Sequence, residues 1–90
     1  MKLMYVIMVY DVNVKRVNKV LKIGRKYLNW TLRSVLEGLL TEELYENLKE
    51  EIMRVINTEE DAVYFYLIDT YNAPHKTIIG ATPGEFNFIE

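Results

Sequence analysis

The chain has no cysteine, so neither a disulfide framework nor a thiolate metal site is available to it. No apolar run approaches the length of a membrane span, and the amino terminus lacks the basic-then-apolar layout of a secretion signal, so a cytoplasmic protein with no membrane partner is expected. The single histidine, His75, follows Pro74 with no second metal-type ligand near it in sequence, and it reads as a turn residue without chemistry. Acidic residues are missing altogether between positions 12 and 36. That last absence makes the modest net charge of -2 misleading.

Residues 1 to 40 hold eight basic side chains against two acids, a balance of +6, and residues 41 to 90 hold three against eleven, a balance of -8. An asymmetry of this kind is what one basic face for phosphates, backed by an acidic remainder, would give. Half the residues are hydrophobic, which excludes a disordered chain. Ninety residues make one domain with a real core, but one small enough to profit from burying more surface against a second copy.

The chain is organised around Leu3 to Asp11, LMYVIMVYD, an apolar and aromatic run that stops at one carboxylate. So short and β-branched a run reads as a central strand with no solvent-facing side. Asn13 can cap a helix in which Val14, Val17, Leu21, Gly24 and Leu28 recur as a buried stripe. Lys15, Lys19, Lys22 and Lys26 fall on another side of that helix, with Arg16 and Arg25 beside them, and no acid within it supplies the usual pairs four residues apart. This ridge, Lys15, Arg16, Lys19, Lys22 and Lys26, is the candidate nucleic-acid contact.

Trp30 to Leu39, WTLRSVLEGL, reads as a single strand with Gly38 marking its end. Thr41 then caps a second helix with Glu42 and Glu43 in its first turn, where the helix dipole favours acids, and with Leu44, Leu48, Ile52 and Val55 or Ile56 as its apolar stripe. Asp61 and the acids before it read as a loop. Ala62 to Ile68, AVYFYLI, is a second strand with no polar side. Tyr71 to His75 is a turn, Lys76 to Ile79 a short strand ended by Gly80, and Phe86 to Ile89 a terminal edge strand.

Two crossover helices among these strands suggest an α+β fold, a ferredoxin-like βαββαβ split βαβ sandwich with an extra C-terminal strand. Residues 1–80 would form the domain and 81–90 a tail strand. Helices cover only one face of such a sheet, yet both central strands are apolar on both faces. A homodimer packed sheet to sheet is the economical solution. Asp11 of two protomers could then meet at the interface mouth and hold Mg²⁺, a hard ion that needs few protein ligands and keeps several waters. A metal between paired carboxylates beside basic ridges suits phosphodiester hydrolysis.

A strand ending in Tyr10 and Asp11, a basic helix with Arg16 and Lys19, then Arg33-Ser34-Val35-Leu36-Glu37-Gly38 and a late Glu59-Glu60-Asp61 ahead of a strand resemble the small CRISPR-associated proteins of the spacer-acquisition complex, the Cas-two family. The likeness runs from about residue 3 to residue 80. It implies a ferredoxin-like homodimer that binds duplex DNA and bridges integrase subunits, and a Mg²⁺-dependent endonuclease acting on single-stranded RNA or duplex DNA. It also implies Asp11 as metal ligand and Asp11, Tyr10, Arg16 and Arg33 as catalytic positions, Arg16 and Arg33 offsetting phosphate charge. The chain departs from the family at Leu36, where Phe is usual. The family's tail often adds a strand to the partner's sheet.

Two alternatives compete. In one the protein is a non-catalytic scaffold whose ridge grips nucleic acid. In the other it is a single-stranded RNA-binding ferredoxin-like module that stacks bases on Tyr64, Phe65 and Tyr66, although the glycine-containing basic strand pattern of such modules is missing.

Overall fold

A computed structural model describes residues 3–68 and 75–81. Its elements run β1 (Leu3–Asp11), α1 (Val14–Arg25), β2 (Asn29–Leu32), β3 (Val35–Thr41), α2 (Glu42–Val55), β4 (Ala62–Ile68) and β5 (His75–Gly80). The five strands form one antiparallel sheet in the order β2-β3-β1-β4-β5. The first six elements are the expected βαββαβ arrangement with β1 in the middle, and β5 is the short strand expected at Lys76 to Ile79, one residue longer at each end.

The alternation of side chains sorts the sheet into two faces. Val6, Met8 and Tyr10 of β1 pair in register with Leu67, Phe65 and Val63 of β4, and Leu36 and Leu40 of β3 share their side. All of these but the partly buried Leu67 are buried together with Val20 of α1 and Tyr45, Leu48 and Ile52 of α2, so both helices cover this face. The Tyr45 ring meets Phe65 edge-on at 5.4 Å, an arrangement favoured between aromatics. Tyr5, Ile7, Val9 and Asp11, with Val35, Glu37 and Leu39 on one side and Tyr64, Tyr66 and Ile68 on the other, point the opposite way. No described element covers that second face, where Leu39 is 61% and Ile68 42% exposed.

Both helix starts follow their caps: the Asn13 side chain accepts from the Lys15 N–H and the Thr41 hydroxyl from the Leu44 N–H. Three details of the chain differ from the sequence expectation. Trp30 to Leu39 is not one strand but a hairpin that turns at Arg33 and Ser34. Its two arms share the apolar-polar alternation of one strand, and no Gly, Pro or Asn flags the turn. Gly38 therefore lies inside β3, buried opposite Val6. In α1 the buried positions are Val20 and Gly24 while Val14 is 81% exposed, and in α2 Tyr45 replaces Leu44, which is 42% exposed. The leading apolar residue in the first turn of each helix is thus exposed and not part of the buried stripe. The Tyr71 to Pro74 part of the turn and the tail strand at 86–89 lie outside the described residues, while His75 opens β5.

At Gly24 α1 lies close against the sheet: a Cβ there would lie 3.0 Å from Leu36 Cδ2. Leu36 is fully buried on the helix-covered face. The departure from Phe is thus a matter of packing beneath α1, and the side chain offers nothing to a ligand.

Candidate active site

Asp11 ends β1 on the open face of the sheet, exposed, with neither a hydrogen bond nor an ion pair among the described residues. Across β4 its register partner is Ala62. On the β3 side the ladder continues past Val9 and Val35 through the bond from the Tyr10 N–H to the Ser34 carbonyl, 3.1 Å, which brings Arg33 level with Asp11. Arg33 is exposed in the hairpin turn. The structure therefore brings the Arg33 main chain to the end of β1 that carries Asp11.

Tyr10 and Arg16 sit elsewhere. One residue before Asp11, the Tyr10 side chain enters the helix-covered core, where it is 5% exposed and burial pushes its phenol pKa up. Its hydroxyl donates to the Arg33 carbonyl at 3.1 Å, and Trp30 Nε1 donates to the same carbonyl at 3.1 Å. Tyr10 thus holds the hairpin turn against the end of β1. It positions Arg33 and does not stand beside Asp11.

Arg16 is held by Asp61. Its Nε donates to Asp61 Oδ2 at 2.6 Å and one terminal nitrogen to Asp61 Oδ1 at 3.1 Å, while that nitrogen also reaches Glu60 at 2.8 Å. Asp61, expected as a loop acid, is fully buried. It further accepts the main-chain N–H groups of Asn13, 2.9 Å, and Asn57, 2.8 Å. Arg16 first, and these two N–H groups, hold its carboxyl at about 2 against an ordinary 3.8 although burial pulls the other way. The Arg16 guanidinium is in turn pushed up by the same bonds. The Asp61 carbonyl accepts the Ala81 N–H at 2.6 Å, and Gly80 makes that approach feasible: its φ is +103°, and a Cβ there would lie 1.9 Å from the Asp61 oxygen. One aspartate thereby ties together the start of α1, the loop after α2 and the end of β5.

Sequence reasoning missed this knot. Its signal was an acid directly before a wholly apolar strand, which is placed by strand alternation on the same side as Val63 and therefore inside.

The ridge lysines Lys15, Lys19, Lys22 and Lys26 are exposed along α1. Lys26 is paired with Glu51 of α2 at 2.5 Å, and Glu51 also accepts from the Tyr27 hydroxyl. These two donors lower the Glu51 pKa, and the bond to Glu51 raises that of Tyr27. The outer end of the ridge is thus partly neutralised, leaving Lys15, Lys19 and Lys22 as its cationic part. In β4, Phe65 is fully buried and only Tyr64 and Tyr66 reach the open face, so the three-residue stacking platform is not formed. Among the described residues no three His, Cys, Asp or Glu side chains gather as a metal cluster, and no helix is long and apolar enough to cross a membrane.

Residues 4–73 match the family model described as CRISPR associated protein Cas2. The chain belongs to the Cas2 family. A curated Cas2 relative from Thermotoga maritima, named a CRISPR-associated endoribonuclease, is 54% identical over 86 residues, which cover 96% of this chain and 99% of that one. A relative of the same name from Dictyoglomus turgidum is 56% identical over 77 residues, covering 86% and 88%. A solved Cas2 crystal structure superposes with a TM-score of 0.72 at 36% identity, covering 98% of this chain and 99% of that one. The α+β, ferredoxin-like expectation accords with this neighbour.

Proposed function

We propose that this Cas2 chain is a homodimeric, metal-dependent endonuclease subunit of a CRISPR system, with its reactive corner at Asp11. The observation that carries the reading is the position of Asp11: an exposed carboxylate without a protein partner among the described residues, at the end of the central strand, on the sheet face that the helices leave open. Supporting it, two curated relatives above half identity are named endoribonucleases.

The donor chemistry fits Mg²⁺ as half a site. One hard oxygen ligand per protomer suffices when two protomers face each other and water completes the shell. When bound, the ion supplies a nucleophilic water and charge stabilisation for phosphodiester hydrolysis. The chain's own residues do the rest. Asp11 supplies a carboxylate, and Arg33, level with it, offers a cation to the scissile phosphate. Tyr10 and Trp30 fix the turn that carries Arg33. Arg16 serves by holding Asp61, which sets the first turn of α1 and hence the start of the ridge. Lys15, Lys19 and Lys22 hold the nucleic-acid backbone away from the reactive corner. Duplex DNA as the bound form, and a second surface that meets integrase subunits during spacer acquisition, belong to the same reading.

The test is cleavage of single-stranded RNA and of duplex DNA with and without Mg²⁺, with Asp11→Ala purified in parallel. Loss of at least 100-fold in metal-dependent cleavage, with unchanged folding, is expected. Equal cleavage by the variant and the parent would end the catalytic claim and leave a binding scaffold.

A further inference from the structure

Trp30, the only tryptophan in the chain, is 50% exposed on β2, a four-residue edge strand with every residue exposed. Its orientation is fixed twice. Nε1 donates to the Arg33 carbonyl at 3.1 Å, and the Arg25 guanidinium stands over the ring at 5.6 Å from its centroid. Large aromatic side chains at an edge usually bury their rings, and the sheet core lies one strand away. Arg25 ends α1, Arg33 occupies the adjoining turn, and residues 12 to 36 hold no acid.

A groove of about 400 Å³ runs along α1, lined by Asn18, Leu21, Lys22, Arg25 and Lys26. It shares Lys22 with the lysine ridge and Arg25 with Trp30. On a helix wheel the ridge and Arg25 lie roughly a quarter-turn apart, so Arg25 links the side of α1 that carries the lysines to Trp30 on β2. A cationic helix side next to an exposed flat ring with a guanidinium over it is the arrangement that binds single-stranded nucleic acid without sequence preference.

We propose that Trp30, together with Arg25 and Arg33, is a stacking site for an unpaired nucleobase at the end of the α1 ridge. The proposal rests on the reading of the ridge as a nucleic-acid contact and adds to it a place where a strand leaves the duplex or has no partner. Both a single-stranded RNA and the overhang of a DNA duplex present the base that the site takes. The bound base lies against the indole, its 5′ or 3′ phosphate within reach of the arginines, and the ridge lysines hold the strand behind it.

Because Trp30 is the sole tryptophan, its fluorescence reports the site directly. Three probes are titrated into the full-length protein in metal-free buffer: a twelve-nucleotide RNA, a DNA duplex with single-stranded ends, and the same duplex made blunt. The RNA and the overhang duplex are expected to quench Trp30, and the blunt duplex to bind with little quenching. Trp30→Ala should weaken the first two about ten-fold and the blunt duplex less than about two-fold. Trp30→Phe should recover most of the loss, which a collapsed edge strand would not do.

Quenching by RNA alone, or by the overhang alone, assigns the source of the base and supports the site. If the blunt duplex binds with normal salt dependence while no probe quenches Trp30, and Trp30→Ala changes nothing, the stacking site is overturned and the ridge stands. If no probe binds, the ridge reading fails and the stacking site fails with it.

Discussion

Asp11 and Asp61 sit at the same end of neighbouring strands, since Asp11 pairs in register with Ala62, yet their surroundings are opposite. Asp61 is fully buried and engaged by Arg16 and two main-chain N–H groups. Asp11 is exposed and meets no such donor among the described residues. What separates them is strand alternation: Asp61 falls on the side of Val63, under the helices, and Asp11 on the side of Ala62, away from them. A carboxylate whose oxygens are all engaged inside the fold has nothing left for an external ion. The difference teaches that one strand position decides whether an acid is held inside the fold, as Asp61 is, or left exposed on the open face, as Asp11 is.

The strongest test of that contrast removes each acid in turn. Asp61→Ala leaves Arg16 without its main partner and two N–H groups without an acceptor; removing one member of a fully buried pair costs about 3–5 kcal/mol, and the one-fifth exposure of Arg16 brings the expected loss below that range. A large drop in the denaturation midpoint is expected, whereas Asp11→Ala should leave the midpoint nearly unchanged; a stable Asp61→Ala protein would refute the knot. The pH dependence has a definite sign. The folded-state pKa of Asp61 is depressed, to about 2 from 3.8, so the stabilisation is fully present above about pH 4 and is lost as the pH falls towards 2. Acid titration of the parent and of Asp61→Asn should show this loss only in the parent.

The helix-covered side of the fold was legible because its signals are local. Asn13 and Thr41 announce both helices, and the two wholly apolar strands announce the sheet centre. The β2–β3 hairpin was not, because Arg33 and Ser34 are ordinary residues and the turn depends on a carbonyl shared by Tyr10 and Trp30, contacts 23 and 3 residues apart. Of the site, Asp11 and the lysines could be read as exposed polar residues at informative places. The roles of Arg16 and Tyr10 could not, since both are decided by long-range partners. Tyr10 differs from its neighbour Asp11 only by the half-period of a strand.

A smaller effect is expected on the open face itself. Ile7 lies there between Glu37 and Tyr66, and a second protomer packed on this face would bury it twice by symmetry. At about 1.5–3 kcal/mol for each apolar side chain of this size, Ile7→Asp should weaken association by about 3 kcal/mol or more, roughly a hundredfold. Light scattering should then show a monomer at concentrations where the proposed dimer of the parent is expected, with the far-ultraviolet spectrum unchanged. A monomeric parent would remove the shared Asp11 site, and the open face would need a different partner.

The smallest effect sharpens the same face. The Tyr5 hydroxyl donates to Glu37 Oε1 at 2.6 Å on the open face, and this bond to a carboxylate raises the Tyr5 pKa. A carboxylate that entered a dry interface without a donor would be costly, so the Tyr5 bond is what allows an acid to sit among Ile7, Leu39 and Tyr66. In the free protomer, Tyr5→Phe should leave stability nearly unchanged, because water replaces the phenol. In the dimer the lost donor leaves Glu37 underbonded, so the substitution should raise the dissociation constant more than it lowers the denaturation midpoint of the monomeric Ile7→Asp background. Equal effects in the two backgrounds would mean that Glu37 stays in water and that the interface closes elsewhere on the sheet.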